Sequence, residues 1–265
     1  MRVVESEVVG GFDYAHITRR AADEYRRAAD IEPKNTEYRR LLADVLREKG
    51  DTDAAEEAYA EVCKLGPFPS ECYDSTGLEW LGWKSPQPAV NSFTAAINNA
   101  GRGDTKVALY YAERAAAYLE FKSPETALSY YRELALGDAL QAVGLAEQNA
   151  GLNEQNAVCQ SMLGDVYTAK DDYGKAQEAY QSAADLMPEN YEYHFKLARA
   201  LYNKATNSGL DSTRAEDLKS AREHFRRASS ITGDADKKKE CADGIKKINS
   251  ELDEEGETEF VTGGP

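Results

Sequence analysis

Cysteine, histidine and long apolar runs are scarce in this sequence, and each shortage excludes a class of function. Its 265 residues include four cysteines and three histidines, with no C-x-x-C pair and no clustered histidines. A zinc site or a dithiol redox motif is therefore not predicted, and we expect no metal and no cofactor. Since no run of about 18 apolar residues occurs, no segment is expected to insert into a membrane. The first residues, "MRVVESEVVGGFDYAH", carry acids where a secretory leader has its apolar centre, which by default predicts a cytoplasmic location.

The cysteines are Cys63, Cys72, Cys159 and Cys241, and they are widely scattered. A disulfide between Cys63 and Cys72 is one alternative. The prediction is that all four are free, since nothing in the chain indicates secretion and a free cysteine fills apolar space like any small side chain.

Acidic residues outnumber basic ones, 47 to 32, which gives a net charge of −15. Such a chain repels phosphate, so nucleic acid and anionic membrane surfaces are not expected as partners. The excess is concentrated, because residues 51–200 hold 23 acidic and eleven basic side chains, a balance of −12, whereas residues 1–50 hold ten of each. The acidic middle of the chain favours a basic partner.

A spacing of small and large residues recurs along the chain. At Ala176, Tyr180, Ala183 and Pro188 a small residue is followed by a large one, a second small one and then a turn residue. Four other segments share the pattern: Ala21, Tyr25, Ala28, Pro33; Ala55, Tyr59, Val62, Pro67; Ala89, Phe93, Ala96, Gly101; and Ala221, Phe225, Ala228, Gly233. The first three of these follow one another at 34 residues, a period typical of stacked structural repeats.

Each repeat contains two amphipathic segments of about a dozen residues separated by a turn, which predicts a pair of antiparallel helices. Small residues such as Gly164 on the first helix and Ala176 on the second let the two helices approach closely. Tyr180 is expected to fill the gap to the next repeat. The proline ends the second helix.

This pattern resembles the tetratricopeptide repeat (TPR) family, whose motif is W-x2-L-G-x2-Y, then A-x3-F-x2-A, then P. The agreement is best at Leu163, Gly164, Tyr167, Ala176, Tyr180, Ala183 and Pro188. The resemblance implies an all-α fold over residues 1–252, a right-handed α-solenoid of stacked antiparallel helix hairpins with a capping helix and an acidic flexible tail. The expected bounds are repeats at 4–33, 36–67, 70–101, 105–154, 157–188 and 191–233, the cap at 235–252 and the tail at 253–265.

Two segments depart from the motif. Between Tyr118 and Glu154 two registers compete, so the expectation is either one long helix from Glu125 to about Ala150, or a break near Gly137 with an irregular extra helix. In the last repeat, the segment 203–217 ("NKATNSGLDSTRAED") is rich in Asn, Ser and Gly, which predicts an inserted surface loop.

In hairpin stacks of this family the first helices line a concave groove, and the resemblance places particular side chains there. They are Arg40, Asp44, Arg47, Asp74, Leu78, Leu81, Ala112, Ala116, Leu119, Ser161, Asp165, Thr168, Phe195, Arg199 and Tyr202. An apolar centre would consist of Leu78, Leu81, Ala112, Ala116 and Leu119. The hypothesis is that this centre receives an apolar stretch of a partner, such as an amphipathic helix, whose basic residues meet the acidic middle repeats. In the alternative, the leucines contact neighbouring helices or the chain's own terminus.

No convergent set of titratable residues suggests catalysis. His16, His194 and His224 are isolated in the sequence, each typical of a surface or interhelix residue. The leading prediction is therefore a non-enzymatic scaffold that binds a partner protein or peptide within a larger assembly. Two alternatives remain open: a self-associating structural protein, and a non-catalytic or regulatory subunit of an enzyme complex.

Overall fold

The structure is a computed structural model that describes residues 14–122, 125–149, 151–207 and 213–262. Within these ranges the chain forms twelve α-helices and no strand, which confirms the predicted all-α class. The helices are α1 (Tyr14–Ile31), α2 (Thr36–Glu48), α3 (Thr52–Leu65), α4 (Pro69–Gly82), α5 (Pro86–Asn99), α6 (Val107–Leu119), α7 (Glu125–Glu147), α8 (Asn153–Ala169), α9 (Tyr173–Leu186), α10 (Tyr191–Asn207), α11 (Arg214–Ile231) and α12 (Ala235–Thr262).

The helices fall into two compact units, residues 1–104 (unit 1) and residues 105–265 (unit 2). In unit 1, α1 packs against α2, and the hairpins are α2–α3 and α4–α5. In unit 2, the hairpins are α6–α7, α8–α9 and α10–α11, and α12 packs against α11. Part of the first expected repeat, 4–33, lies outside the described residues, and the part inside them forms α1.

Small residues bring the paired helices into contact, as the spacing predicts. Ala43 on α2 and Ala55 on α3 are both fully buried. In the α8–α9 hairpin the ring of Tyr180 covers Gly164, where an added Cβ would lie 2.5 Å from the Tyr180 Cε1 atom. Tyr180 also belongs to the apolar core that includes Leu197 of α10. One ring therefore closes its own hairpin and contributes to the core shared with the next.

The prediction that all four cysteines are free is wrong for one pair. Cys63 on α3 and Cys72 on α4 form a disulfide, with their Cα atoms 5.2 Å apart. The short turn between α3 and α4 brings the end of one helix to the start of the next, so cysteines nine positions apart in the sequence become neighbours. Cys159 and Cys241 are free and buried, as small apolar fillers would be.

A single helix, α7, occupies the segment where two registers compete. Of the two alternatives, the structure therefore has the long helix, and Gly137 does not interrupt it. Ala135, Ala139, Ala142 and Ala146 are buried along one side at helical spacing. This stripe is continuous across Gly137, which explains why the helix does not break there.

The predicted loop at 203–217 is wrong at both ends, because α10 continues to Asn207 and α11 begins at Arg214. Ala205 is buried, and the Lys204 Nζ atom lies 3.1 Å from a carboxylate oxygen of Asp217 on the facing helix. These contacts extend the α10–α11 hairpin into residues whose composition predicts a loop. Residues 208–212 lie outside the described residues.

The predicted cap at 235–252 is also too short, since α12 continues to Thr262. The segment 253–262, expected as a flexible tail, is therefore helical. Its glutamates are good helix formers, and the next proline is Pro265, so the composition that predicts a tail is equally compatible with a helix. Residues 263–265 lie outside the described residues.

Candidate functional site

In unit 1, the predicted groove residues lie on α2 and α4. The Arg47 guanidinium lies 4.2 Å from the ring centroid of Trp83, and the Tyr59 hydroxyl donates a hydrogen bond to Asp44. Burial and the neighbouring Asp44 carboxylate raise the pKa of Tyr59, so its hydroxyl stays protonated and keeps donating. The rings of Trp80 and Trp83 lie beside Tyr59, at centroid distances of 5.7 and 6.0 Å, while Leu78 remains 48% exposed.

In unit 2, the predicted residues lie on α6, α8 and α10. Ala112 is buried among Ala142 and Cys159. It therefore contacts neighbouring helices and does not line a groove. Ser161 is also buried, and its hydroxyl oxygen lies 3.3 Å from the Lys196 Nζ atom. Ala116 and Leu119 of α6 are only partly buried, so they stay accessible together with the residues farther along α8 and α10.

A polar network joins α8, α9 and α10 at Asp165. One carboxylate oxygen of Asp165 accepts a 2.7 Å hydrogen bond from the Tyr180 hydroxyl, and the other lies 2.8 Å from the Lys196 Nζ atom. Burial and the Asp165 charge raise the pKa of Tyr180, which keeps this donor protonated. The network fixes the ends of these side chains and neutralises Asp165.

Beside this network, a cavity of about 370 Å³ opens between α10, α11 and α12. Its walls are Phe195, Tyr202 and Phe225, with Phe195 and Phe225 edge to face at a centroid distance of 5.6 Å. Gly244 of α12 also lines it, and an added Cβ there would lie 2.8 Å from the Phe225 ring. The close approach of α12 to Phe225 therefore requires glycine at this position.

A smaller cavity of about 120 Å³ lies next along α10 and is lined in part by Asp165, Thr168 and Lys196. Arg199 and Asn203 line both cavities. Five predicted groove residues are thus brought together in unit 2: Asp165, Thr168, Phe195, Arg199 and Tyr202.

The family of the chain follows from a comparison with known proteins. A model of the tetratricopeptide repeat family matches residues 16–68 and 161–235. The chain therefore contains tetratricopeptide repeats in both segments. The second matched segment contains α9, α10 and α11 and most of α8, and so includes most of the elements that form the two cavities.

Solved structures share the fold. A thermophilic TPR protein of Thermus thermophilus has a TM-score of 0.55 at 19% identity, over 80% of this chain and 99% of that chain. The Cut9–Hcn1 hetero-tetramer of the APC/C has a TM-score of 0.54 at 14% identity, over 88% of this chain and 40% of that chain. At these identities the likeness concerns the fold alone. A comparison with curated proteins finds no match.

The rim of the larger cavity in this TPR protein carries charges of both signs. Arg199 on α10 and Lys247 on α12 are exposed, as are Glu240 and Asp243 on α12. Within the described part of the chain none of these four side chains forms an ion pair. They are therefore available to charges on a bound partner.

The repeat motif could not reveal the contribution of α11 and α12, because the motif assigns Phe225 to a core position and α12 to a cap. A signal was present nonetheless. Glu240, Gly244 and Lys247 recur at helical spacing within α12, so the glycine lies on the same face as two charges. A glycine on a polar helix often marks a close approach of another element.

The structure also brings together two histidines that are isolated in the sequence. The Nδ1 atoms of His194 on α10 and His224 on α11 lie 3.2 Å apart. Burial and the neighbouring His194 lower the pKa of His224, although Asp185 and Glu223 act in the opposite direction. In the described ranges no three His, Cys, Asp or Glu side chains converge as a metal site would require.

Over the same ranges, none of the helices of this TPR protein is both long enough and apolar enough to cross a bilayer.

Proposed function

We propose that this TPR protein is a non-enzymatic scaffold that holds a segment of a partner protein against α8, α10 and α12 of unit 2. The observation that carries the proposal is the aromatic cavity of about 370 Å³, with a rim of exposed charges. Its size is at the lower end of the range for ligand pockets, which suits one large side chain of a bound peptide.

An apolar side chain of the partner would enter between Phe195, Tyr202 and Phe225. Fully burying such a side chain contributes about 1.5–3 kcal/mol, and a few anchors of this kind carry most of the affinity in many interfaces. Asn203 supports a peptide ligand in particular. This residue borders both cavities, and its side-chain amide has no hydrogen-bond partner among the described residues, so it can bond to the partner's main chain.

The charges favour basic residues on either side of that anchor. Three exposed carboxylates, those of Glu192, Glu240 and Asp243, border the two cavities, against the two exposed cations Arg199 and Lys247. Unit 2 as a whole holds 28 acidic and 19 basic side chains, a balance of −9. A basic, amphipathic segment therefore fits the site better than an acidic one, and its association should weaken as salt is added.

The apolar centre predicted from the sequence draws on residues of both units and remains a prediction. Leu78, at 48% exposure, is available to a partner within unit 1. Substitution of Leu81, Ala116 or Leu119 by glutamate tests whether these residues contribute to partner binding.

The cytoplasmic location also remains a prediction, and one observation favours the opposite. The cytosol keeps most thiols reduced, whereas Cys63 and Cys72 are joined in a disulfide. An oxidising compartment is therefore the location that we propose.

The experiment uses two short synthetic peptides, each with one phenylalanine, flanked by lysines in one and by glutamates in the other. We expect only the lysine peptide to bind, as measured by fluorescence anisotropy. Asn203→Trp should abolish this binding, because the indole occupies both cavities without removing a core side chain. Thr206→Trp is the matched control, since Thr206 is exposed on the same helix and lines neither cavity.

Equal binding to the Asn203→Trp and Thr206→Trp variants would show that the cavity is not the site. Preference for the glutamate peptide would reverse the proposed charge of the partner. Concentration-dependent size with no peptide binding would support the self-association alternative.

A further inference from the structure

The two facing histidines lie beside the aromatic cavity. Their rings are nearly parallel, with an interplanar angle of 19° and a centroid distance of 5.4 Å, and their Nδ1 atoms are 3.2 Å apart. The Nε2 atom of His194 lies 2.9 Å from the carbonyl oxygen of Pro188, in the turn between α9 and α10. The pair thus connects α10, α11 and the preceding turn.

These contacts determine where protons can reside. A carbonyl oxygen only accepts, so the Nε2 atom of His194 carries its proton and donates to Pro188. The Nδ1 atom of a neutral His194 is then bare and accepts a hydrogen bond from the Nδ1–H group of His224. A first additional proton can bind at the Nε2 atom of His224 without disturbing this bond.

A second additional proton cannot be accommodated in the same geometry. It would have to bind at the Nδ1 atom of His194, where two N–H groups would point at each other across 3.2 Å. Two positive charges would also face each other in a seam where His194 is buried. Asp185 of α9 and Glu223 of α11 face His224 and stabilise its first proton, but neither restores the broken hydrogen bond.

The histidine pair is coupled to the cavity through the chain itself. Phe195 directly follows His194, and Phe225 directly follows His224. These two phenylalanines contact each other edge to face and form two of the cavity walls. A change in the spacing of α10 and α11 at the histidines would therefore move both walls.

We propose that the His194–His224 pair is an acid-sensitive contact that keeps the aromatic cavity assembled when neutral or singly protonated and opens the α10–α11 seam when doubly protonated. The opening itself follows from the histidine geometry. Its consequence, weaker peptide binding in acid, rests on the function proposed above.

The test is amide hydrogen exchange of the full chain at about pH 7 and about pH 5.5, corrected for the intrinsic pH dependence of exchange. Acid should reduce the protection of the α10 and α11 amides from exchange, while the other described helices keep theirs. His224→Asn should remove this response, because the asparagine amide can donate in place of the Nδ1–H group and does not titrate. His16→Asn, which changes an exposed histidine, should keep it.

An equal acid response in His224→Asn and in the original chain would overturn the proposal, as would the absence of any response in the original chain. Should His224→Asn fail to fold, imidazole ¹⁵N spectra of the unmodified protein decide the matter. They should show His224 charged at a pH where the Nδ1 atom of His194 is still bare, and simultaneous protonation of the two rings would contradict this. Neither measurement requires a partner, so failure of the proposed peptide binding would leave this result interpretable.

Discussion

The two units share a hydrogen bond from the repeat tyrosine to an aspartate, but the surroundings of that tyrosine differ. Tyr59 in unit 1 donates to Asp44, and Tyr180 in unit 2 donates to Asp165, with 15 positions between donor and acceptor in both. In unit 1 the neighbouring cation, Arg47, lies against Trp83, and the rings of Trp80 and Trp83 lie beside Tyr59. In unit 2 the neighbouring cation, Lys196, contacts Asp165 itself, and a cavity of about 120 Å³ lies beside this pair.

This difference shows that one repeat motif can have aromatic rings beside its tyrosine in one unit and a cavity beside it in the other. The motif fixes the hairpin and its tyrosine, whereas residues outside the motif decide what lies over them. In unit 1 Trp80 and Trp83 pack edge to face at a centroid distance of 5.1 Å and occupy the space. In unit 2 Gly244 lets α12 approach without filling the cavity.

The largest expected effect is a difference between a variant and its matched control, and it tests the close contact within the α8–α9 hairpin. Gly164→Ala places a Cβ 2.5 Å from the Tyr180 ring, and overpacking of this kind costs about 1–3 kcal/mol. Gly137→Ala is the matched control, since no atom lies within 4 Å of an added Cβ there, and it should gain about 0.5–1 kcal/mol. Urea unfolding followed by circular dichroism measures both, and equal changes in the free energy of unfolding would refute the assigned contact.

Reduction of the disulfide should destabilise unit 1 selectively. Opening a cross-link that closes a loop of nine residues costs about 2–3 kcal/mol on the chain-entropy model. Thermal unfolding with and without dithiothreitol, monitored by tryptophan fluorescence, reports on unit 1 because Trp80 and Trp83 both lie there. A Cys63→Ala, Cys72→Ala double variant should lose the response, and a persisting response would point to another cause.

Removing the repeat tyrosine's hydroxyl should cost more in unit 1 than in unit 2. Tyr59→Phe takes a donor from Asp44, whereas after Tyr180→Phe the Asp165 carboxylate still has Lys196. Hydrogen bonds to charged groups contribute about 1.5–3 kcal/mol, and we expect Tyr180→Phe to fall at or below the lower end of that range. A greater loss of stability for Tyr180→Phe than for Tyr59→Phe would contradict this account.

The smallest expected effect is a pH dependence of the stability of unit 2. The pKa of His224 is lowered in the folded chain, so below its unfolded value of about 6.5 the unfolded chain binds more protons than the folded one. Stability is therefore fully present above that pH and is lost as the pH falls towards the folded pKa. Differential scanning calorimetry of the original chain and of His224→Asn between about pH 7 and pH 5.5 should show this loss only in the original chain.

Much of the fold could be predicted from the sequence, because the spacing of Ala176, Tyr180 and Ala183 directly reflects how two helices pack. The 34-residue period predicted paired helices, which the structure has. The ends of the last repeat were wrong, since contacts such as Lys204 with Asp217 override the loop-like composition. Local composition carries no information about such pairings across a hairpin.

The candidate site was predictable only in part, and for a related reason. Residues on the first helix of a repeat, such as Phe195 and Arg199, follow from the motif. The pairing of Cys63 with Cys72, the meeting of His194 with His224 and the place of Gly244 beside Phe225 depend on how successive helices approach. Each of these contacts joins residues on different helices, so no single helical pattern contains it.

The most direct test of the central claim is a nuclear magnetic resonance titration of the full chain with the lysine-flanked phenylalanine peptide. Binding in the aromatic cavity should shift the signals of Phe195, Tyr202 and Phe225, and these shifts should saturate together. Shifts confined to Leu78 and Trp83 of unit 1, or no saturable shift in either unit, would contradict it.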